Sequence, residues 1–306
     1  MRRFLCATLS ILGLLAAACG TVARPPTPGG KLQVVATFSV LGDLVHNVGG
    51  DKIQLHILVG SGQDTHTYEP TPADGSALAD TALVFENGLE FEKWLDKLYD
   101  ASGSKAPRIV VTKGLEPLTL AVGDEIGETD PHAWHDVANV IHMVEAIRDA
   151  LKQADPANAQ AYEENAQAYL AQLRELDNWV AQQVKAVPEA HRKLVTNHDT
   201  FGYFARRYGF EILGTILPTS TEGASPSAQQ MAQLVEALKA SGVPAVFAET
   251  VSSNALLDQV ATEAGVKVIA SLYTDALGPP GSEGDTYVKM VRYNVTTVVN
   301  ALGNNP

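Results

Sequence analysis

Cysteine is almost absent: Cys6 and Cys19 are the two in 306 residues, both at the extreme N-terminus. The body of the chain therefore holds neither a disulfide framework nor a thiolate metal site. Basic residues are also scarce, with 22 Lys and Arg against 35 Asp and Glu and a formal charge of -13. Residues 1 to 18 carry Arg2 and Arg3 and no acid, so the remainder has 20 basic against 35 acidic residues, or -15. That balance argues against a nucleic-acid partner and suits a protein that stays soluble and attracts cations. No His-Glu-x-x-His helix is present, which removes the zinc-protease motif. No internal repeat is apparent, and no aromatic-rich or arginine-rich loops suggest a siderophore-type binder. What is there, 45% apolar and 19% charged residues, is the composition of an ordinary globular protein.

The N-terminus indicates where the chain works. Met1-Arg2-Arg3 is a short positive segment, and Phe4 to Ala18 is an apolar run too short to span a membrane comfortably, so residues 1–18 read as a signal peptide. Leu15-Ala16-Ala17-Ala18-Cys19 resembles a lipoprotein signal, with Leu15 four residues before the cysteine where three is preferred. Cleavage there leaves Cys19 as the lipidated first residue and the protein anchored at the outer face of the cell membrane. Residues 19–30, with Pro25, Pro26, Pro28, Gly29 and Gly30, form a semi-extended tether.

A chain of this length suggests two domains. From Lys31, short β-rich runs alternate with amphipathic stretches, the pattern of parallel α/β domains. Strands are predicted at 32–36, 54–59, 82–86 and 108–111, and again at 193–196, 211–215, 245–248 and 267–270. Helices are predicted near 40–48, 72–80, 90–100 and 137–153, then 201–208, 227–241, 253–264 and 286–301. Between the halves, Pro156 to Val187 has no internal glycine or proline. Its apolar Tyr162, Ala166, Tyr169, Leu173, Leu176 and Val180 recur at spacings of three and four, the stripe of a helix packed on both lobes. The expected fold is thus α/β with an N-terminal lobe at 31–155, a linking helix at 156–187 and a C-terminal lobe at 188–306. Each lobe is expected to carry a parallel four-stranded sheet flanked by helices.

The chain has eight histidines, and three stand in unusual settings. His66 follows a strand in Gly60-Ser61-Gly62-Gln63-Asp64-Thr65-His66-Thr67-Tyr68-Glu69-Pro70-Thr71-Pro72, a loop fixed by glycines and prolines. His132 lies in Asp130-Pro131-His132-Ala133-Trp134-His135-Asp136, directly before a helix. His198 ends a strand in Asn197-His198-Asp199-Thr200-Phe201-Gly202-Tyr203-Phe204. All three fall in loops at the end of an α/β sheet where ligands bind. Imidazoles from three separate loops can converge on one ion without straining any segment. His46, His142 and His191 sit on or beside helices, His56 points outward from its strand, and His135 is one helical turn from His132.

These segments, Asp-x-His-x-Tyr-Glu-Pro, Asp-Pro-His-x-Trp and Asn-His-Asp-x-Phe-Gly-Tyr-Phe, resemble the motifs of the zinc- and manganese-uptake solute-binding lipoproteins of ABC importers, the cluster A-I or ZnuA/TroA-like family. Leu272-Tyr273-Thr274-Asp275-Ala276-Leu277-Gly278 resembles their fourth ligand segment, and the likeness spans residues 31 to 302. The resemblance implies a monomeric binding protein, not an enzyme, that passes its metal to an ABC permease. It makes His66, His132, His198 and Asp275 the metal ligands, two from each lobe, in an interlobe cleft. By its own setting Asp275 would be equally at home as a turn residue. Glu69, Asp136 and Asp199 adjoin ligands and can either orient imidazoles or cap helices.

Three imidazoles and one carboxylate suit Zn²⁺, and related manganese-uptake proteins commonly place a carboxylate where His198 stands. Zinc is therefore the expected cargo and manganese the alternative. An acidic segment, Gly123 to Asp130, replaces the histidine-rich loop of many zinc-specific relatives, and the cysteine pair of some relatives is missing. A zinc hydrolase is the rival from another class, but it needs an open coordination position and a nearby general base.

Overall fold

The computed structural model describes residues 30–120, 126–217, 226–251 and 253–303. The signal peptide, Cys19, all but the last residue of the tether and part of the acidic segment lie outside the described residues.

The first lobe is built on β1 (Leu32–Phe38), β2 (Ile53–Val59), β3 (Leu83–Glu86) and β4 (Arg108–Val110), all parallel in the order β2-β1-β3-β4. Central β1 is buried almost throughout, as expected of a Val- and Ala-rich strand covered on both faces. Helices α1 (Ser39–Gly49), α2 (Pro72–Asp80) and α3 (Leu95–Ser102) connect these strands. Proline begins α2, and Thr71 and Asp74 form a reciprocal cap there. The helix predicted from position 90 starts only at Leu95. Leu89 and Glu90 have φ of 54° and 63°, and the buried Glu92 carboxylate accepts the N–H groups of Asn87 and Gly88, which holds a turn there instead.

A short antiparallel hairpin, β5 (Leu118–Thr119) and β6 (Thr129–Asp130), then leads into α4 (Val137–Ala154). The predicted 156–187 helix is regular only over α5 (Ala159–Gln183), with 3₁₀ turns at Pro156–Asn158 and Val184–Ala186. Pro156 is confined to a first turn, and the last turn tightens ahead of Pro188. Twenty-five residues give a rod of about 37 Å. The whole expected stripe is buried along it.

The second lobe contains β7 (Lys193–Thr196), α6 (Gly202–Tyr208), β8 (Glu211–Thr215), α7 (Ala228–Ser241), β9 (Ala245–Glu249), α8 (Ala255–Ala264), β10 (Lys267–Leu272) and α9 (Tyr287–Gly303). Its four strands are present, but the expected single four-stranded sheet is corrected to two parallel pairs, β7-β8 and β9-β10. β7 lies beside β9. Side chains link them at their carboxyl ends: the His198 N–H donates to Glu249, and the Asn197 amide donates to Ser253 O and Asn254 Oδ1.

The lobes do not have wholly separate cores. One apolar cluster runs from β1, β3 and α1 through α4 and α5 to Leu194, Phe247, Leu272 and α9. A smaller one, with Val195, Val246, Ala248, Leu238 and Leu257, fills the space under α7 and α8. Alternate residues of β7 and β9 thus face different clusters, as the period of a strand requires. Leu173 sits fully buried on α5 in the larger cluster. Leu173→Ala should lower stability by about 2–5 kcal/mol, read as an earlier midpoint in urea; an unchanged midpoint would show that α5 is not a structural spine.

Candidate metal centre

The four predicted donors converge. One ligand atom from each of His66, His132, His198 and Asp275 lies within 4.8 Å of the others, a group able to hold a metal ion. His66 Nε2 is 3.2 Å from His132 Nε2. Asp275 Oδ2 is 3.1 Å from His198 Nε2 and 3.6 Å from His66 Nε2, and Oδ1 is 3.7 Å from His132 Nε2. A tetrahedral ion with ligands at about 2.0–2.1 Å requires donor separations of roughly 3.3 Å. Three imidazole nitrogens and a carboxylate turned toward one point are mutually repulsive acceptors unless a cation or a proton lies between them. Of the four, His66 lies nearest solvent, with 10% of its side chain exposed.

Each donor is held by its own loop. After β2, Asp64 accepts the His66 backbone N–H at 2.8 Å and the Thr67 hydroxyl at 3.0 Å, and Trp94 Nε1 donates to Thr65 O. The His66 ring packs edge-on against Phe91, 4.8 Å between centroids. After β6, Asp130 Oδ1 accepts the His132 backbone N–H at 2.9 Å and lies 2.8 Å from Nδ1, which places the ring proton on Nδ1 and leaves Nε2 to ligate. After β7, Glu249 does the same for His198, Oε1 accepting the backbone N–H at 2.9 Å and Oε2 lying 2.6 Å from Nδ1. The Thr274 hydroxyl also donates to Glu249 Oε2, next to Asp275 on the segment leaving β10. That segment is clamped to the first lobe: Leu277 N–H donates to Ser39 Oγ, Gly62 N–H to Leu277 O, and Trp134 Nε1 to Thr274 O.

Burial drives His66 down to about 3, only partly opposed by Asp275. Burial would lower His198 too, but Glu249 and Asp275 outweigh it and hold its pKa well above the usual imidazole value. Burial alone would raise Asp275, yet the three histidines, His198 foremost, keep its carboxyl far below the ordinary range.

The residues singled out as possible orienters differ in their surroundings. Asp136 caps α4, accepting from Ala138 N–H, and faces Arg207 at 3.5 Å. Glu69 is exposed, and Asp199 is buried. Two acids not singled out, Asp130 and Glu249, lie against the Nδ1 atoms of His132 and His198. Asp130 carried a readable signal, an Asp two residues before a histidine. Glu249 ends a buried strand, and an acid there is unusual enough to mark it. His135 is buried against Phe201, and burial sends it down to about 3; His56 is exposed. His142 and His191 contact backbone carbonyls.

Residues 34–301 match the family model for ZnuA, the zinc-uptake complex component A periplasmic. The chain is 36% identical over 295 residues to the manganese-binding lipoprotein MntA of Halalkalibacterium halodurans, covering 96% of each. Its fold matches the Mn-bound periplasmic metal binding protein of Candidatus Liberibacter asiaticus with a TM-score of 0.80 at 30% identity, over 89% of this chain and 100% of that one. It matches the periplasmic zinc binding protein TroA of Treponema pallidum with a TM-score of 0.81 at 30% identity, over 89% and 99%. The fold and site define a solute-binding protein of the two-lobed metal-capturing kind, not an enzyme. The chain belongs to the ZnuA family of metal-binding, substrate-binding proteins of ABC importers.

Proposed function

We propose that this chain captures one divalent transition-metal ion with His66, His132, His198 and Asp275, and delivers it to an ABC permease. The observation that carries this reading is the convergence of four donors from four separate loops on one largely buried point. The zinc hydrolase reading loses ground because a fourth protein donor occupies the position that a catalytic water would need.

Zinc is the favoured cargo, because three borderline nitrogen donors and one carboxylate suit it, and the Irving–Williams order adds to the preference over manganese. Manganese is the second reading. It is supported by the relatives whose names specify it, and by the two oxygens of Asp275, both within 3.7 Å of an imidazole nitrogen, which could expand the coordination number. Zn²⁺ and Mn²⁺ dissociation constants for the wild type and for His198→Glu test the choice. Zinc should bind more tightly to the wild type, and the substitution should narrow the gap by weakening zinc more. A wild type that prefers manganese reverses the assignment.

We also propose three working units, a first lobe at 31–155, a linking helix at 156–187 and a second lobe at 188–306, carried outside the cytoplasmic membrane as a monomer lipidated at Cys19. No helix among the described residues is long and apolar enough to cross a membrane. Cys19→Ser should release the protein from the membrane fraction and leave the N-terminus without lipid by mass spectrometry; retention of both would remove the anchor from this account.

A further inference from the structure

Helix α6 of the second lobe reaches across to the carboxylate that orients a donor of the first. Tyr203 is fully buried, and its hydroxyl bridges the hairpin at its Leu118 and Asp130 pair, accepting the Leu118 N–H and donating to Asp130 O, each at 3.0 Å. The Arg206 guanidinium lies 5.3 Å from the centroid of the Tyr203 ring. The preceding residue, Gly202, leaves its Cβ position open to the same aspartate: a Cβ built there would stand 2.6 Å from Asp130 Oδ2, a distance that no carbon and oxygen tolerate. The other oxygen, Oδ1, is committed to His132, to its backbone N–H and its Nδ1. The Asp130 carboxylate is therefore boxed, with His132 on one side and the α-carbon of Gly202 on the other, while Tyr203 fixes its backbone.

We infer that Gly202 and Tyr203 are positioning residues that act through Asp130, so that docking of the second lobe sets the orientation of the His132 imidazole in the first. Two donors, His198 and Asp275, come from the second lobe directly. Gly202 and Tyr203 add an indirect contribution, making the aim of a first-lobe donor depend on second-lobe contacts. Neither residue touches the metal point itself. The physical basis is that an orienting carboxylate works only while its own rotamer is locked. The inference rests on the metal-capture reading above, but its decisive readout needs no metal.

That readout is the imidazole N–H resonance of His132 in the metal-free full chain, assigned by its loss in His132→Gln. Tyr203→Phe removes one oxygen and keeps the ring; Gly202→Ala pushes the Asp130 carboxylate from its place. Tyr208→Phe is the control, since Tyr208 lies on the same helix but donates to Asp177 on α5. Tyr203→Phe and Gly202→Ala should each shift or broaden the His132 resonance and weaken Zn²⁺ binding about tenfold. Tyr208→Phe should lower the melting temperature while leaving the resonance and the affinity as in the wild type. If Gly202→Ala does not fold, Tyr203→Phe decides alone. A resonance and a Zn²⁺ dissociation constant within twofold of wild type in Tyr203→Phe overturn the inference, as does an equal effect from Tyr208→Phe. A wild type that binds neither Zn²⁺ nor Mn²⁺ would instead overturn the metal-capture reading, and the resonance would still decide whether α6 positions His132.

Discussion

Asp275→Ala is expected to weaken capture of the ion about 1,000-fold, equivalent to ~4 kcal/mol. Asp275 is the one anionic donor of the four, buried, with its oxygens 3.1 to 3.7 Å from all three imidazole nitrogens. Without it a divalent cation would enter a pocket of neutral rings with nothing in direct contact to offset its charge, where an uncompensated charge is severely penalised. The metal-free protein should suffer less, because His198 keeps Glu249 as its partner. Asp275→Asn keeps an oxygen donor and removes the charge, so it should fall between the wild type and the alanine variant. Competition against a chelator of known affinity measures all three, and a loss below tenfold for the alanine variant would take Asp275 out of the ligand set.

Capture at pH 7 is expected to release about one proton per ion, and affinity should fall about tenfold per pH unit between pH 7 and pH 5. The proton is that of His198, whose pKa in the metal-free fold is raised by Glu249 and Asp275 beyond what burial takes away. The ion must displace it. His66, already lowered to about 3 by burial, is neutral throughout this range and adds nothing to the slope. The stability of the metal-free protein carries both signs. The raised His198 value stabilises the fold fully below the unfolded value of about 6.5, and that contribution is lost as pH rises through the folded value. The depressed His66 and His135 values act oppositely, removing stability as pH falls from about 6.5 toward 3. Calorimetry in two buffers of different ionisation enthalpy counts the protons, and a count of zero at pH 7 would mean that His198 is neutral before the ion arrives.

Much of this was legible in the sequence because the fold's signals are local. Strands such as Lys193–Thr196 and Glu211–Thr215 begin and end where runs of β-favouring residues do. His66, His132 and His198 stood out because each sits among glycine, proline and acid residues that fix a loop. Asp275 could not be told from a turn aspartate, since what distinguishes it is proximity to residues far away in the chain. The same holds for Glu249, 51 positions from the imidazole it orients. The late start of α3 was also hidden, because Leu89 and Glu90 adopt left-handed backbone under the pull of a buried carboxylate that no periodicity announces. In the second lobe, β7 and β9 are joined by side-chain hydrogen bonds at their carboxyl ends and not by a backbone ladder, a difference that the composition of the strands does not reveal.

The apolar cluster shared by both lobes gives the molecule the mechanics of a stiff frame with one outer panel. Leu194, Phe247 and Leu272 fasten the second-lobe strands to the same mass that holds α1, α4, α5 and α9, whereas α7 and α8 grip only the opposite face of those strands, through Val195, Val246 and Ala248. Local opening begins where apolar contacts are fewest, and here that is the panel. His198 and Asp275 follow β7 and β10, whose Leu194 and Leu272 belong to the frame, so the panel can loosen while the four converging side chains keep their arrangement.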